Sequence, residues 1–191
     1  MIMLIISQNL SNYDVITPDD SILRINLAWI DHLDELKRIL TLYSDSNIFL
    51  DLPIKRTKPP NNKYTLQDIS QFFYDYENIK YFAISNVESK LDLAPYLSLI
   101  PKNVVLVPKI ESEAGIKNIE EIIQNIGDEK VLMLDHDDLF SSLLKAGKGA
   151  EEFQDLIKEL IYFCDKNEVR LLRTVGVIFS DDEKRHGGYV N

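Results

Sequence analysis

Short apolar runs alternate along the chain with longer stretches in which apolar residues recur at helical spacing. This rhythm is typical of repeated βα units, because buried parallel strands are short and apolar whereas the helices that cover them are amphipathic. It predicts seven strands, at residues 3–6, 22–28, 48–52, 81–87, 104–110, 131–135 and 169–174.

The stretches between these strands predict helices. Apolar spacing places them within residues 29–40, 66–76, 91–99, 116–126 and 153–163. Thr65 is the expected N-cap of the second, and Asp137 or Asp138 is the expected N-cap of a further helix that begins at Leu139. Strands joined by crossover helices are parallel, which leaves a doubly wound α/β sheet or a (β/α)₈ TIM-type barrel. Polar residues at the carboxyl ends of the strands favour the barrel.

Charge and length narrow the class of protein. The 191 residues include 31 Asp plus Glu and 21 Lys plus Arg, which gives a formal net charge of −10. Such a field repels phosphate, so we expect no nucleic-acid partner and no membrane partner. We expect one domain over residues 1–191, with residues 181–191 as a tail that is either mobile or in need of a partner.

The length also bears on how the barrel closes. A complete (β/α)₈ barrel typically needs about 250 residues, so we predict a short or incomplete one. Either residues 175–180 supply an unusual eighth strand, or a second copy of the chain or another partner chain covers an open seam.

Cysteine and glycine usage indicate the compartment and the mode of binding. Cys164 has no partner for an internal disulfide, and residues 1–6 are apolar but too short to span a bilayer, so we expect a cytoplasmic protein. The 7 glycines form neither a P-loop nor a dinucleotide fingerprint. We therefore expect a ligand that is held mainly by side chains.

Cationic side chains recur at the predicted strand ends. The period of two along a strand places Lys109 and Glu111 on one face of the fifth strand, and Arg24 and Asn26 on one face of the second. An arginine in a barrel mouth is suited to binding an anion. The basic, proline-containing loop 55–63 is either an exposed connection or a further anion contact.

Carboxylates end neighbouring strands. Asp51 closes the third strand, and Asp135, Asp137 and Asp138 follow the sixth. Singly, such residues are explained as helix caps. Together, and beside lysine and arginine, they indicate a hard divalent cation with an anionic ligand rich in oxygen. His136, which lies between two of the aspartates, is a candidate general acid or base.

Read in order, the strand ends resemble pyruvate kinase. Leu23-Arg-Ile-Asn-Leu-Ala28 is similar to that family's MRLNFSH segment, and Asp51-Leu-Pro-Ile-Lys-Arg-Thr57 to its DTKGPEIRT segment. Residues 65–69 and 81–87 are similar to its KDKQDL and DFVAASF segments. Most specific are residues 108–122, PKIESEAGIKNIEEI, similar to SKIENQEGLNNFDEI, and residues 132–139, LMLDHDDL, similar to IMVARGDL.

The resemblance implies a barrel of the phosphoenolpyruvate-binding type and a role for each matching residue. Glu111 and Asp138 would bind Mg²⁺ or Mn²⁺, and the catalytic groups would be Lys109, which stabilises phosphoryl or enolate charge, and Arg24, which contacts phosphate. The remaining implied contacts, to substrate or to a K⁺ ion, are Asn26, Asp51, Arg56, Ser85 and Thr174.

The chain departs from the family pattern at several points. The family's additional domain after the third strand is replaced by the short loop 58–63, and Asp135-His136-Asp137 stands where the family has ARG. Strand phase predicts Arg173 and Val175, rather than Thr174, on the inner face of the seventh strand.

Three functions follow from these observations. The leading hypothesis is a pyruvate-kinase-like phosphotransferase that binds Mg²⁺ and phosphoenolpyruvate or pyruvate. The first alternative is a Mg²⁺-dependent carbon–carbon lyase that acts on a 2-keto acid through the same enolate, as the more loosely similar 2-keto-acid aldolases and citrate lyase beta subunits imply. The second is a degenerate barrel that binds a ligand or a partner protein without catalysis.

Overall fold

Seven parallel strands lie in one sheet, in the order in which they occur along the chain. The computed structural model describes residues 5–7, 21–55 and 62–173. The strands are β1 (Ile5–Ser7), β2 (Ile22–Asn26), β3 (Asn47–Leu52), β4 (Ile79–Ile84), β5 (Val105–Ile110), β6 (Val131–Leu134) and β7 (Arg170–Arg173). A doubly wound sheet reverses its strand order at a switch point, whereas this order is consecutive, as in a barrel. The seven predicted strands and the incomplete (β/α) barrel are confirmed.

The sheet curls without closing within the described residues, where β1 pairs only with β2, and β7 only with β6. The predicted eighth strand at 175–180 and the predicted tail at 181–191 lie outside the described residues, as do residues 56–61 of the basic loop.

Eight helices are described along the chain. They are α1 (Leu33–Leu42), α2 (Leu66–Ile69), α3 (Phe72–Asp75), α4 (Lys90–Leu97), α5 (Glu113–Lys117), α6 (Ile119–Ile123), α7 (His136–Lys145) and α8 (Ala150–Lys166). Thr65 caps α2 through a reciprocal hydrogen-bond pair with Asp68, as predicted. Within the described ranges, no helix has the length and apolar character that crossing a bilayer requires.

The predicted cap of α7 is wrong. The helix begins at His136, and Asp135 is its N-cap, with an extended backbone and a side chain that accepts a hydrogen bond from the Asp138 amide at 3.2 Å. Asp137 and Asp138 already lie in the first helical turn. The helix therefore starts directly from the end of β6, and this brings Asp138 back towards the strand end.

The two faces of the sheet bury different sets of side chains. The outer face packs against the helices in the main core, which also contains the buried Cys164 of α8. The inner face carries a smaller apolar cluster, made of Ile22, Phe49, Ala83, Val107, Val131 and Met133, with Ile5, Tyr81, Val105 and Leu172 against it. We call this set the inner cluster.

The inner cluster fixes the direction of the polar residues beyond it. Because side chains alternate along a strand, the inner face continues from Ile22 to Arg24 and from Phe49 to Asp51. In β7 the predicted phase is wrong, since Leu172 pairs with Met133 and packs on the inner cluster, whereas Arg173 pairs with Leu134 of the outer face. Thr174 and Val175 lie outside the described residues.

Gly115 marks a close approach between α5 and the strand ends. A Cβ at this position would lie 2.7 Å from the Val87 carbonyl oxygen, a backbone atom that cannot rotate away. The Val87 amide in turn donates to the Lys109 carbonyl at 3.2 Å, so this contact supports the end of β5.

We expect Gly115→Ala to lower the free energy of unfolding by about 1–3 kcal/mol, because overpacking outweighs the better helix propensity of alanine. Gly127→Ala is the matched control, since a Cβ there would meet no atom within 4 Å. Urea denaturation of the two variants tests the contact. Equal midpoints would contradict it.

Candidate active site

A buried ion network lies at the carboxyl ends of β2, β3, β4 and β5. Asp51 is fully buried and accepts hydrogen bonds from both Nε and Nη2 of Arg24, the first at 3.1 Å. Nζ of Lys109 lies 3.4 Å from the same Asp51 oxygen and 3.1 Å from Oε1 of Glu111. It also donates to Oγ of Ser85 at 3.1 Å. Four strands thus contribute to one charged cluster above the inner cluster.

The pKa values in this network follow from burial and pairing. Burial opposes ionisation of Asp51, but Lys109 and Arg24 outweigh it and hold the pKa of Asp51 below its ordinary value. Burial likewise acts to lower the pKa of Lys109, yet Asp51 and Glu111 raise it above the ordinary value. Lys109 is therefore a fixed cation at neutral pH.

Glu111 differs from its neighbours. Burial raises its pKa above the ordinary value, Lys109 opposes that rise, and the charge of Asp135 adds to it. Its Oε1 accepts no hydrogen bond within the described part of the chain, although it forms the ion pair with Lys109. A buried carboxylate oxygen with unused acceptor capacity is suited to a cation.

Three carboxylates converge at the end of β6. Glu111, Asp135 and Asp138 each offer one oxygen, and these oxygens lie within 4.8 Å of one another. Backbone groups hold two of them: the Asn86 amide donates to Glu111 at 2.8 Å, and the Asp138 amide donates to Asp135. Carboxylate oxygens are the ligands that Mg²⁺ and Mn²⁺ prefer, so the donor set fits a hard divalent cation. We call these residues the acidic triad.

Asn86 connects the acidic triad to the segment that follows β3. Its backbone has φ of 55°, a left-handed conformation that asparagine tolerates better than most residues. Besides its amide bond to Glu111, its side chain donates to the Ile54 carbonyl at 2.7 Å. Lys55, the residue that follows Ile54, also has a positive φ, of 56°. Such outliers cluster at functional sites, and the sequence pattern did not predict a role for Asn86.

The network and the triad border one cleft of about 440 Å³. Its lining residues are Pro53, Ile54, Lys55, Ser85, Asn86, Glu88, Lys109, Glu111, Ser112, Asp138, Ser141, Ser142 and Lys145. The cleft opens at the carboxyl ends of the strands, where parallel α/β folds bind their ligands.

Most site residues predicted from the sequence meet here. Arg24, Asp51, Ser85 and Lys109 belong to the ion network, and Glu111 and Asp138 belong to the acidic triad. Asn26 lies at the end of β2, where its side chain accepts a hydrogen bond from the Ala28 amide at 3.0 Å and so caps a short 3₁₀ turn. Arg56 and Thr174 lie outside the described residues.

Two aspartates differ from the expectation. Asp135, which the resemblance did not imply as a metal ligand, is a member of the acidic triad, whereas Asp137 is exposed and is not. His136, the candidate general acid or base, is not a member of the acidic triad. Its Nε2 lies 3.3 Å from Nη2 of Arg173, and its ring contacts Phe153.

Comparisons with known proteins give the fold. No family model and no curated protein sequence matches the chain. Among solved structures, RipC from Yersinia pestis is similar with a TM-score of 0.63 and 13% identity, over 97% of this chain and 81% of that one. A pyruvate kinase from Cryptosporidium parvum is similar with a TM-score of 0.62 and 12% identity, over 91% of this chain.

These likenesses support a distant relationship of fold to both proteins. The chain spans only 57% of the length of the pyruvate kinase. At 12–13% identity the similarity is one of fold.

Proposed function

We propose that this protein is a metal-dependent enzyme that binds Mg²⁺ and the carboxylate of pyruvate or phosphoenolpyruvate, with phosphoryl transfer as its reaction. One observation carries the proposal: Glu111, Asp135 and Asp138 converge on one point at a barrel mouth, beside the buried Lys109 ammonium. The resemblance of the strand ends to pyruvate kinase supports the choice of substrate.

Each residue has a role in this proposal. The acidic triad would hold the metal ion, which supplies Lewis-acid stabilisation of negative oxygen on a 2-keto acid. Lys109 provides a fixed positive charge where enolate or phosphoryl charge develops, without reorganisation during the reaction. Ser85 and Asp51 hold its ammonium in place, and Arg24 offers a second cation at the same end of the sheet.

The charge of the site favours a second candidate, a carbon–carbon lyase. Arg24 and Lys109 stand against four carboxylates, Asp51 and the acidic triad, which leaves a formal charge of −2. One divalent cation brings this to zero. A 2-keto acid with a single negative charge then enters at a lower electrostatic cost than phosphoenolpyruvate. A lyase that works through the same enolate needs only the 2-keto acid and no phosphoenolpyruvate.

Two assays separate the candidates. Phosphoenolpyruvate, ADP and Mg²⁺, coupled to lactate dehydrogenase, should give turnover if phosphoryl transfer is the reaction. Pyruvate release from 4-hydroxy-2-keto acids without nucleotide would identify the lyase. Binding of Mg²⁺ and pyruvate in calorimetry, with neither turnover, would indicate a non-catalytic barrel. Absence of Mg²⁺ and Mn²⁺ binding would refute all metal-dependent versions.

The metal site itself is tested by neighbouring substitutions on one helical turn. We expect Asp138→Asn to weaken Mn²⁺ binding by at least the roughly 10–100-fold that loss of a supporting group costs. Asp137→Asn removes the same charge from the same first turn of α7 but lies outside the acidic triad, so its Mn²⁺ affinity should match the wild type. Titration followed by electron paramagnetic resonance measures both. Equal affinities in the two variants would exclude the triad as the site.

A further inference from the structure

The cleft continues beyond the acidic triad along one face of α7. Asp138, Ser141, Ser142 and Lys145 all line it, and their spacing of three, four and seven residues places them on one side of a helix. The polar stripe therefore runs from a proposed metal ligand, past two hydroxyl groups, to an ammonium one helical turn further on. Pyruvate binding at the triad leaves this stripe unused.

A second lysine lines the cleft. Lys55 lines the same cleft, and its left-handed backbone follows Ile54, whose carbonyl is held by Asn86. Its ammonium lies 3.3 Å from Asp92, so part of its charge is already balanced. Glu88 also lines the cleft, in addition to Glu111 and Asp138 of the acidic triad.

Lys145 differs from the lysines near it. Lys148, three residues further on, is paired with Glu113. Within the described part of the chain, no carboxylate lies within ion-pairing distance of Lys145. A cation at the rim of a cleft in a protein with a net charge of −10 is suited to an anionic group of a ligand.

The size of the cleft also indicates a ligand that is larger than pyruvate. Its volume of about 440 Å³ falls within the range of pockets that hold drug-sized ligands. A three-carbon acid bound at the acidic triad would occupy only the inner end.

We propose that the cleft takes a 2-keto acid with a second anionic group at its far end, and that Lys145, assisted by Lys55, binds that group. The proposal rests on the proposed function, because the keto-acid end is the end that the acidic triad would bind. Ser141 and Ser142 would contact the polar chain between the two ends. The distal group is a carboxylate or a phosphate, since a lysine ammonium pairs with either.

Calorimetry with four probes tests this in the presence of Mg²⁺. The probes are pyruvate, 2-oxobutyrate with an uncharged tail, 2-oxoglutarate with a distal carboxylate, and a 2-keto acid with a distal phosphonate. We expect one of the two dianions to bind roughly 10-fold more tightly than 2-oxobutyrate, which corresponds to one charge-assisted contact. The tighter dianion identifies the chemistry of the distal group.

Lys145→Gln should abolish the preference for a dianion and leave the affinity for pyruvate unchanged. Lys55→Gln should reduce the preference for a dianion. Lys166→Gln is the matched control, because Lys166 also lies in the last turn of its helix and its removal changes the net charge equally. If the wild type binds pyruvate but shows no preference for a dianion, or if Lys166→Gln loses the preference as Lys145→Gln does, the distal site is refuted and the proposed function stands. If no keto acid binds with Mg²⁺, the proposed function fails and this proposal fails with it.

Discussion

Replacing Asp51 with asparagine is expected to lower the free energy of unfolding by about 3–5 kcal/mol, because it removes the anion from a buried group of cations. Asparagine fills the same space, so the loss reflects charge and not a cavity. Lys109 is almost completely buried and would keep only Glu111 as its counter-ion, whereas Arg24 is partly exposed and can recruit water. We therefore expect the lower end of this range.

Urea denaturation measures this effect, and the midpoint should fall by roughly 1–2 M. Asp34→Asn is the control, since Asp34 pairs with Lys37 at 2.9 Å on an exposed helix surface. Exposed ion pairs contribute little to the free energy of unfolding, so this variant should have the same urea midpoint as the wild type. Equal midpoints for the two variants would show that Asp51 is not the counter-ion of buried cations.

The strands and the residues at their ends were largely predictable from the sequence. A parallel strand covered on both faces is an apolar run, and a polar residue that interrupts its end is conspicuous there. Lys109, Glu111, Arg24 and Asp51 were found in this way, and the structure brings them together. The sequence suggested that Arg24 binds an anion, and among the described residues Arg24 pairs with the carboxylate of Asp51.

Features that depend on contacts between distant segments were not predictable. The sequence predicted Asp137 or Asp138 as the N-cap of α7, and only the point at which β6 ends selects Asp135 instead. The phase of β7 depends on its pairing with β6, which a short strand does not encode by itself. Asn86, whose backbone is left-handed, donates hydrogen bonds to both Ile54 and Glu111. Both residues lie far from it in the sequence, so its role was not predictable.

The second large effect is expected for Lys109→Met, which removes the cation that Asp51 and Glu111 share. At neutral pH we expect a loss of about 3–5 kcal/mol in the free energy of unfolding, since Glu111 is then left buried without a counter-ion. Asp51 keeps Arg24 and suffers less. Lys158→Met is the control, because Lys158 lies on an exposed surface of α8, where its ammonium pairs with Asp155. Its midpoint should match that of the wild type.

The pH dependence of the Lys109→Met effect identifies Glu111 as its source. Burial raises the pKa of Glu111 in the folded protein, and without Lys109 the strongest opposing influence is gone, so the pKa rises further. The cost of burying the ionised carboxylate is full above that raised pKa and disappears as the pH falls towards the ordinary value of 4.5. The difference in unfolding free energy between the variant and the wild type should therefore shrink from about pH 8 to about pH 5. In the wild type, neither Asp51 nor Lys109 contributes a slope there, because the folded pKa of Asp51 is lowered and that of Lys109 is raised above its ordinary value of 10.5. A difference that stays constant over this range would mean that lost packing, not the charge of Glu111, causes the instability.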